Sequence, residues 1–217
     1  MSRGRLSKSR HTVVRDRWTD ATAHLRSADL RWSPIIDRVG PCGLKPQRDR
    51  FGTLVRSIIG QQISTAAART IDARLRALSG EPHDPIRLMA SGEAGLRSCG
   101  LSGVKARYVL NLSEAVRDGQ LPLARIGVLG DDEIKTRLTA VKGIGPWTAE
   151  MFLIFSLNRP DVLSAGDLGI RVGLKNFYGL DAPPGPAECA GLSEVWRPYR
   201  SIAMWYLWRM IDSAKKR

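Results

Sequence analysis

The chain is 217 residues long and carries 34 lysines and arginines against 21 acidic residues, a net charge of +13, with 43% hydrophobic residues and three cysteines. Such a length buries a sizeable core as one domain or two interleaved lobes, and the basic excess points to a polyanionic partner, nucleic acid before an anionic membrane surface. No run approaches membrane-spanning length; Cys42, Cys99 and Cys189, odd in number and far apart, suit free thiols in a reducing compartment and cannot supply four ligands to a zinc or iron-sulfur site.

Residues 1–17 hold Arg3, Arg5, Lys8, Arg10, Arg15 and Arg17 against the single acid Asp16. They show no apolar periodicity and read as a basic, flexible N-terminal arm that adds phosphate contacts. No apolar core of the kind a secretory signal needs follows them, although a mitochondrial-type presequence would share their composition. Residues 18–217 read as one helical domain. Helical windows fall at 20–27, 34–39, 49–60, 64–78, 85–90, 92–98 and 103–117, with glycine and proline as punctuation. In 49–60, Phe51, Leu54, Val55, Ile58 and Ile59 form an apolar stripe, and in 64–78 Ile71, Leu75 and Leu78 do. Gln61, Gln62 and Ile63 occupy the junction of these two windows, with Ser64 as the N-cap of the second. Two adjacent amides there read as ordinary solvent-facing residues or as a binding turn. The run GLSGVKARYVLNL, from Gly100, resembles a poorer hairpin-like turn.

The stretch 131–157 reads as two helices joined by a tight hairpin. Asp131 or Asp132 caps the first, Glu133 lies in its opening turn, and Ile134, Leu138 and Val141 recur at helical spacing until Gly143 and Gly145 break it. Glycine suits a sharp turn whose amides must face outward. Pro146 fits the first position of a second helix that carries Trp147, Met151, Ile154 and Phe155 near one face. The amides of Gly143, Ile144 and Gly145, with Lys142 beside them, are then aimed at whatever lies before that helix, and a phosphate is the natural guest. After a loop at 158–165, Asp167 opens another helical run with Leu168, Val172 and Phe177 as apolar positions. Taken alone it reads as an ordinary N-cap. A loop is expected at 181–187, DAPPGPA. The last helix, 199–215, holds Trp205, Tyr206 and Trp208, with Trp196 just before it; Trp196 and one of the other two tryptophans are expected in the core. Period-two alternation is nearly absent, so the fold class is all-α.

The order LTAVKGIGPWTAEMF, PDVLSAGD, LGIRVG, with SIIGQQIS before it and WRPYRSIAMWYLW after it, resembles the helix-hairpin-helix DNA glycosylases. Specifically it is similar to the 3-methyladenine DNA glycosylase II family in a short form without an N-terminal β domain. The similarity covers residues 20 to 212. It implies two interleaved helical lobes with a helix-hairpin-helix motif and an active-site cleft between them. The acid at the Asp167 position is implied to stabilise the oxocarbenium-like sugar formed as the N-glycosidic bond breaks, and to orient the attacking water. The turn matching GQQIS inserts a plug residue into the duplex, here Gln62, between Gln61 and Ile63. The family's pocket tryptophan falls on Trp208, with Trp147 and Met151 as further base-pocket candidates.

Bifunctional relatives hold a lysine where Trp147 stands, so no imine can form there and a monofunctional enzyme is implied. Lys142, ahead of the turn, suits a phosphate contact better than a nucleophile. The implied partner is double-stranded DNA containing alkylated purines of the 3-methyladenine and 7-methylguanine type, met by a monomer in the cytoplasm or nucleoid, or in a eukaryotic nucleus. No metal is expected on side chains and no cofactor is required, a monovalent cation on hairpin backbone carbonyls being the exception that the resemblance suggests. A non-catalytic helix-hairpin-helix protein that binds DNA is the alternative.

Overall fold

The computed structural model describes residues 17–214. The basic arm, except for Arg17, and the last residue of the final helical window lie outside them. Within them the chain forms eleven α-helices, two short 3-10 turns and no strand. The helices are α1 (Thr19–Ala28), α2 (Trp32–Val39), α3 (Arg50–Gly60), α4 (Thr65–Ser79), α5 (Pro85–Ser98), α6 (Gly103–Arg117), α7 (Asp131–Thr139), α8 (Pro146–Phe155), α9 (Leu168–Tyr178), α10 (Pro186–Leu192) and α11 (Arg200–Ala214). The 3-10 turns are Ile126–Val128 and Glu194–Trp196. No helix among the described residues is long and apolar enough to cross a membrane.

Helix pairing divides these elements into two lobes. In the middle lobe α3 packs on α4, α6 and α8, α5 packs on α4 and α6, and α7 packs on α8. In the other, α11 packs on α1, α2 and α9, and the second 3-10 turn joins α1 and α10. One lobe is a continuous stretch of chain and the other is closed by both of its ends, so the two interleave. The helix α8, PWTAEMFLIF, is apolar round most of its circumference; Thr148, Ala149, Met151, Phe152, Leu153 and Ile154 are all buried, as befits a helix inside a lobe. The terminal lobe is centred on rings. Trp32, fully buried, lies 4.4 Å from Phe177 and 5.1 Å from Trp196 between centroids, and pairs at such distances add about 0.5–1.5 kcal/mol each beyond the area they bury.

Five helix starts follow a capping side chain. Asp49, Ser64, Asp84, Ser102 and Asp167 each accept a backbone N–H from the first turn of α3, α4, α5, α6 and α9. At α7 the expectation is corrected: the N-cap is Gly130, and Asp131, Asp132 and Glu133 all stand in the first turn, where they complement the dipole instead of capping. The windows 85–90 and 92–98 are one run bent at Gly92, whose φ of 60° breaks it. The stretch 181–187 is loop only as far as Gly185, because Pro186 takes the first position of α10, a place that needs no N–H. Trp196 is fully buried, whereas Trp205 and Trp208 are both only partly so. All three cysteines are buried.

Candidate active site

The loop between α8 and α9 is fixed before it reaches Asp167. The Asp161 carboxylate accepts Arg200 Nε at 2.7 Å and Nη2 at 3.0 Å, and Arg197 Nη1 at 2.8 Å. Ser201 Oγ accepts the Val162 N–H at 2.9 Å. Ser164 gives its hydroxyl to Glu150 at 2.6 Å and its N–H to Met204 Sδ at 3.3 Å, while its carbonyl accepts the Asp167 N–H at 3.1 Å. The loop is thereby tied to α11 on one side and to α8 on the other.

Three donors converge on the carboxylate that follows. Asp167 Oδ1 accepts the Ile170 N–H at 2.8 Å, as an N-cap does, and the Trp208 indole N–H at 3.1 Å. Its Oδ2 accepts the Trp147 indole N–H at 2.7 Å. Trp147 comes from the first turn of α8 in the middle lobe and Trp208 from α11 in the terminal lobe, so the acid is where the lobes meet. Gly169 permits this: a Cβ there would lie 2.9 Å from Asp167 Oδ1 and 3.2 Å from the Trp208 ring. Trp208 also stacks on Phe155, with centroids 5.6 Å apart. The site stays open on one side, with Trp147 40% and Leu168 66% exposed. Met151 is buried one turn along α8 from Trp147.

Glu150 escaped the sequence reading. Burial pushes its carboxyl above the usual glutamate range; the Ser164 hydrogen bond and Lys135 offset part of that, and the charge of Asp167 adds to it. The available signal was position, since Glu150 stands one turn beyond Trp147 on the same helix face.

The two hairpin glycines have different reasons. Gly143 has a φ of +107°, and a Cβ there would sit 2.3 Å from Tyr108 Cγ, so only glycine fits. Gly145 has a φ of −92° and nothing of the protein lies within 4 Å of an added Cβ. It is the N-cap of α8, which has no side-chain cap, and such a start leaves its first amides to a ligand. Ile144 drops out of that set, because its side chain is buried and its N–H donates to the Val141 carbonyl at 3.0 Å. Lys142 is exposed beside the turn. Gln61 faces inward, donating Nε2 to the Gly143 carbonyl at 3.1 Å. Gln62 and Ile63 are left as the exposed tip between α3 and α4.

Residues 55–198 match the family described as HhH-GPD superfamily base excision DNA repair protein. The alkylbase DNA glycosidase-like protein mag2 of Schizosaccharomyces pombe is 32% identical over 196 residues, which cover 88% of this chain and 92% of that protein. DNA-3-methyladenine glycosylase 1 of the same organism is 34% identical over 197 residues, 88% of this chain and 86% of that one. The solved structure of its 3-methyladenine DNA glycosylase (Mag1) in complex with abasic-DNA superposes with a TM-score of 0.81 at 34% identity, over 89% of this chain and 97% of that chain. The all-α architecture, the hairpin and the capping aspartate thus stand together in a chain that belongs to the HhH-GPD superfamily of base excision DNA repair proteins.

Proposed function

We propose that the protein is a monofunctional DNA glycosylase that flips an alkylated purine out of double-stranded DNA and hydrolyses its N-glycosidic bond, leaving an abasic site. The observation that carries this is the Asp167 carboxylate, held by two indole N–H groups and an N-cap bond at the open junction of the lobes. Departure of the base develops an oxocarbenium-like sugar, and a carboxylate already fixed in direction stabilises that charge without having to reorganise. A purine made cationic by alkylation is a good leaving group, so the step demands no strong general acid. Trp147 offers no amine where a Schiff base would need one, which leaves water as the nucleophile.

Leaving the stack costs a few kcal/mol, and less at a damaged base. Gln62, at the exposed tip, fills the gap; the uncapped start of α8 takes a flanking phosphate, and Lys142 adds its charge. Of the hairpin carbonyls on which a monovalent cation would sit, those of Lys142 and Gly143 already accept the side-chain amides of Asn111 and Gln61 at 3.4 and 3.1 Å. No step runs through such a cation. The enzyme acts as a monomer, and sedimentation checks that.

Incubation with randomly methylated DNA is expected to release methylated purines, read by chromatography. Asp167→Asn is expected to lower the release rate at least about a hundredfold, while binding to abasic DNA stays near wild type or tightens as repulsion from phosphate falls. Full release by this variant would sink the assignment. Tight DNA binding by the unmodified protein without any release would favour the non-catalytic alternative.

A further inference from the structure

We propose that Lys105 is a positioning residue for duplex penetration: its ammonium holds the turn 61–63 in the shape that presents Gln62 to DNA, and so acts on base flipping and not on bond cleavage. This rests on the glycosylase reading above, in which Gln62 is the plug.

The turn does not hold its own shape. Gln62 has a φ of 57°, in the left-handed region that residues bearing a Cβ avoid. The backbone hydrogen bonds around it are long, Gln61 N–H to the Ile58 carbonyl at 3.4 Å and Ile63 N–H to the Gly60 carbonyl at 3.5 Å. At such lengths a hydrogen bond contributes little. Lys105 stands in the first turn of α6, where Ser102 Oγ accepts its N–H at 3.3 Å. From there Nζ donates to the Ile59 carbonyl at 2.8 Å and to the Gln61 carbonyl at 2.5 Å. The Ile59 carbonyl lies in the last turn of α3 and that of Gln61 at its C-cap, where no helical N–H reaches them and where a cation complements the dipole.

The second brace comes from the opposite side, where Gln61 Nε2 donates to the Gly143 carbonyl of the hairpin. Gripped between α6 and the hairpin, the turn leaves only Gln62 and Ile63 facing out. A lysine serving as a phosphate contact would extend its ammonium into water. That of Lys105 is partly buried and spent on two carbonyls, and burial lowers its pKa.

The test uses the full chain with Lys105→Met, which removes the ammonium, and Gln61→Ala, which removes the other brace. One measurement is the fluorescence of 2-aminopurine placed opposite a tetrahydrofuran abasic analogue, with Kd taken from anisotropy. The other is single-turnover release of 7-methylguanine from a paired duplex and from the same strand with the lesion in an unpaired bulge, where little flipping cost remains. Lys105→Met is expected to lose most of the 2-aminopurine response with Kd within about threefold, and to slow release about tenfold in the paired duplex but less than about threefold in the bulge. Gln61→Ala is expected to show the same asymmetry at smaller size, and it carries the test if Lys105→Met does not fold. Equal slowing in both substrates, or an unchanged 2-aminopurine response, overturns the proposal. If the unmodified protein releases no base from either substrate, the glycosylase reading fails, and the 2-aminopurine response alone decides the role of Lys105.

Discussion

Asp167 receives an indole N–H on each carboxylate oxygen, and this separates two roles that a tryptophan in such a site can have. If Trp147 matters as a ring face, phenylalanine replaces most of it; if it matters as a donor, phenylalanine replaces nothing. A hydrogen bond to a charged group is worth about 1.5–3 kcal/mol, so Trp147→Phe is expected to slow single-turnover base release by roughly ten- to a hundredfold with abasic-DNA affinity unchanged. Trp208→Phe is expected to do the same more weakly, since its bond is 3.1 Å against 2.7 Å. The same position tests strand chemistry. Borohydride should trap no protein-DNA adduct with the unmodified protein, whereas Trp147→Lys places an amine there and some trapping is expected.

The hairpin illustrates at the scale of one element what the sequence makes legible. Two glycines two positions apart mark the turn, yet nothing in the sequence says that Gly143 answers to Tyr108 of another helix while Gly145 answers to no residue of the fold. Gly143→Ala is therefore expected to cost more than about 2 kcal/mol of stability through its positive φ and the overlap with Tyr108, read from a denaturant midpoint. Gly145→Asp is expected to leave stability within about 0.5 kcal/mol and to weaken binding to all DNA sequences alike; an unchanged Kd at low salt would contradict the phosphate site. Helices with a clear apolar stripe, such as α3, and helices with capping side chains were readable. The start of α10 was hidden because proline and glycine signal loop and helix start with the same letters. Contacts that join distant segments were out of reach, Lys105 and Gln61 being 44 positions apart.

At the scale of the molecule, period and caps specify helices but not which of them pair, so the interleaving of the lobes came from resemblance alone. It decides where charge accumulates. Glu150 on α8 and Asp167 at the start of α9 are brought together only because the chain crosses back between lobes, and Ser164 in the crossing holds Glu150. That places a half-buried carboxyl, its affinity for protons raised by burial, at the seam. A carboxyl whose pKa is higher folded than unfolded binds more protons in the native state over the interval between the two values, so stability falls as pH rises through it. The contribution of Glu150 is thus fully present below its unfolded value and lost above its folded one. Glu150→Gln keeps an oxygen acceptor for Ser164 and removes the titration. Its urea midpoint relative to wild type is expected to be least favourable near pH 4 and to improve as pH rises from there, levelling off above the folded value. A difference between the two proteins that stays flat over that range would mean that Glu150 titrates at the seam as it does in water.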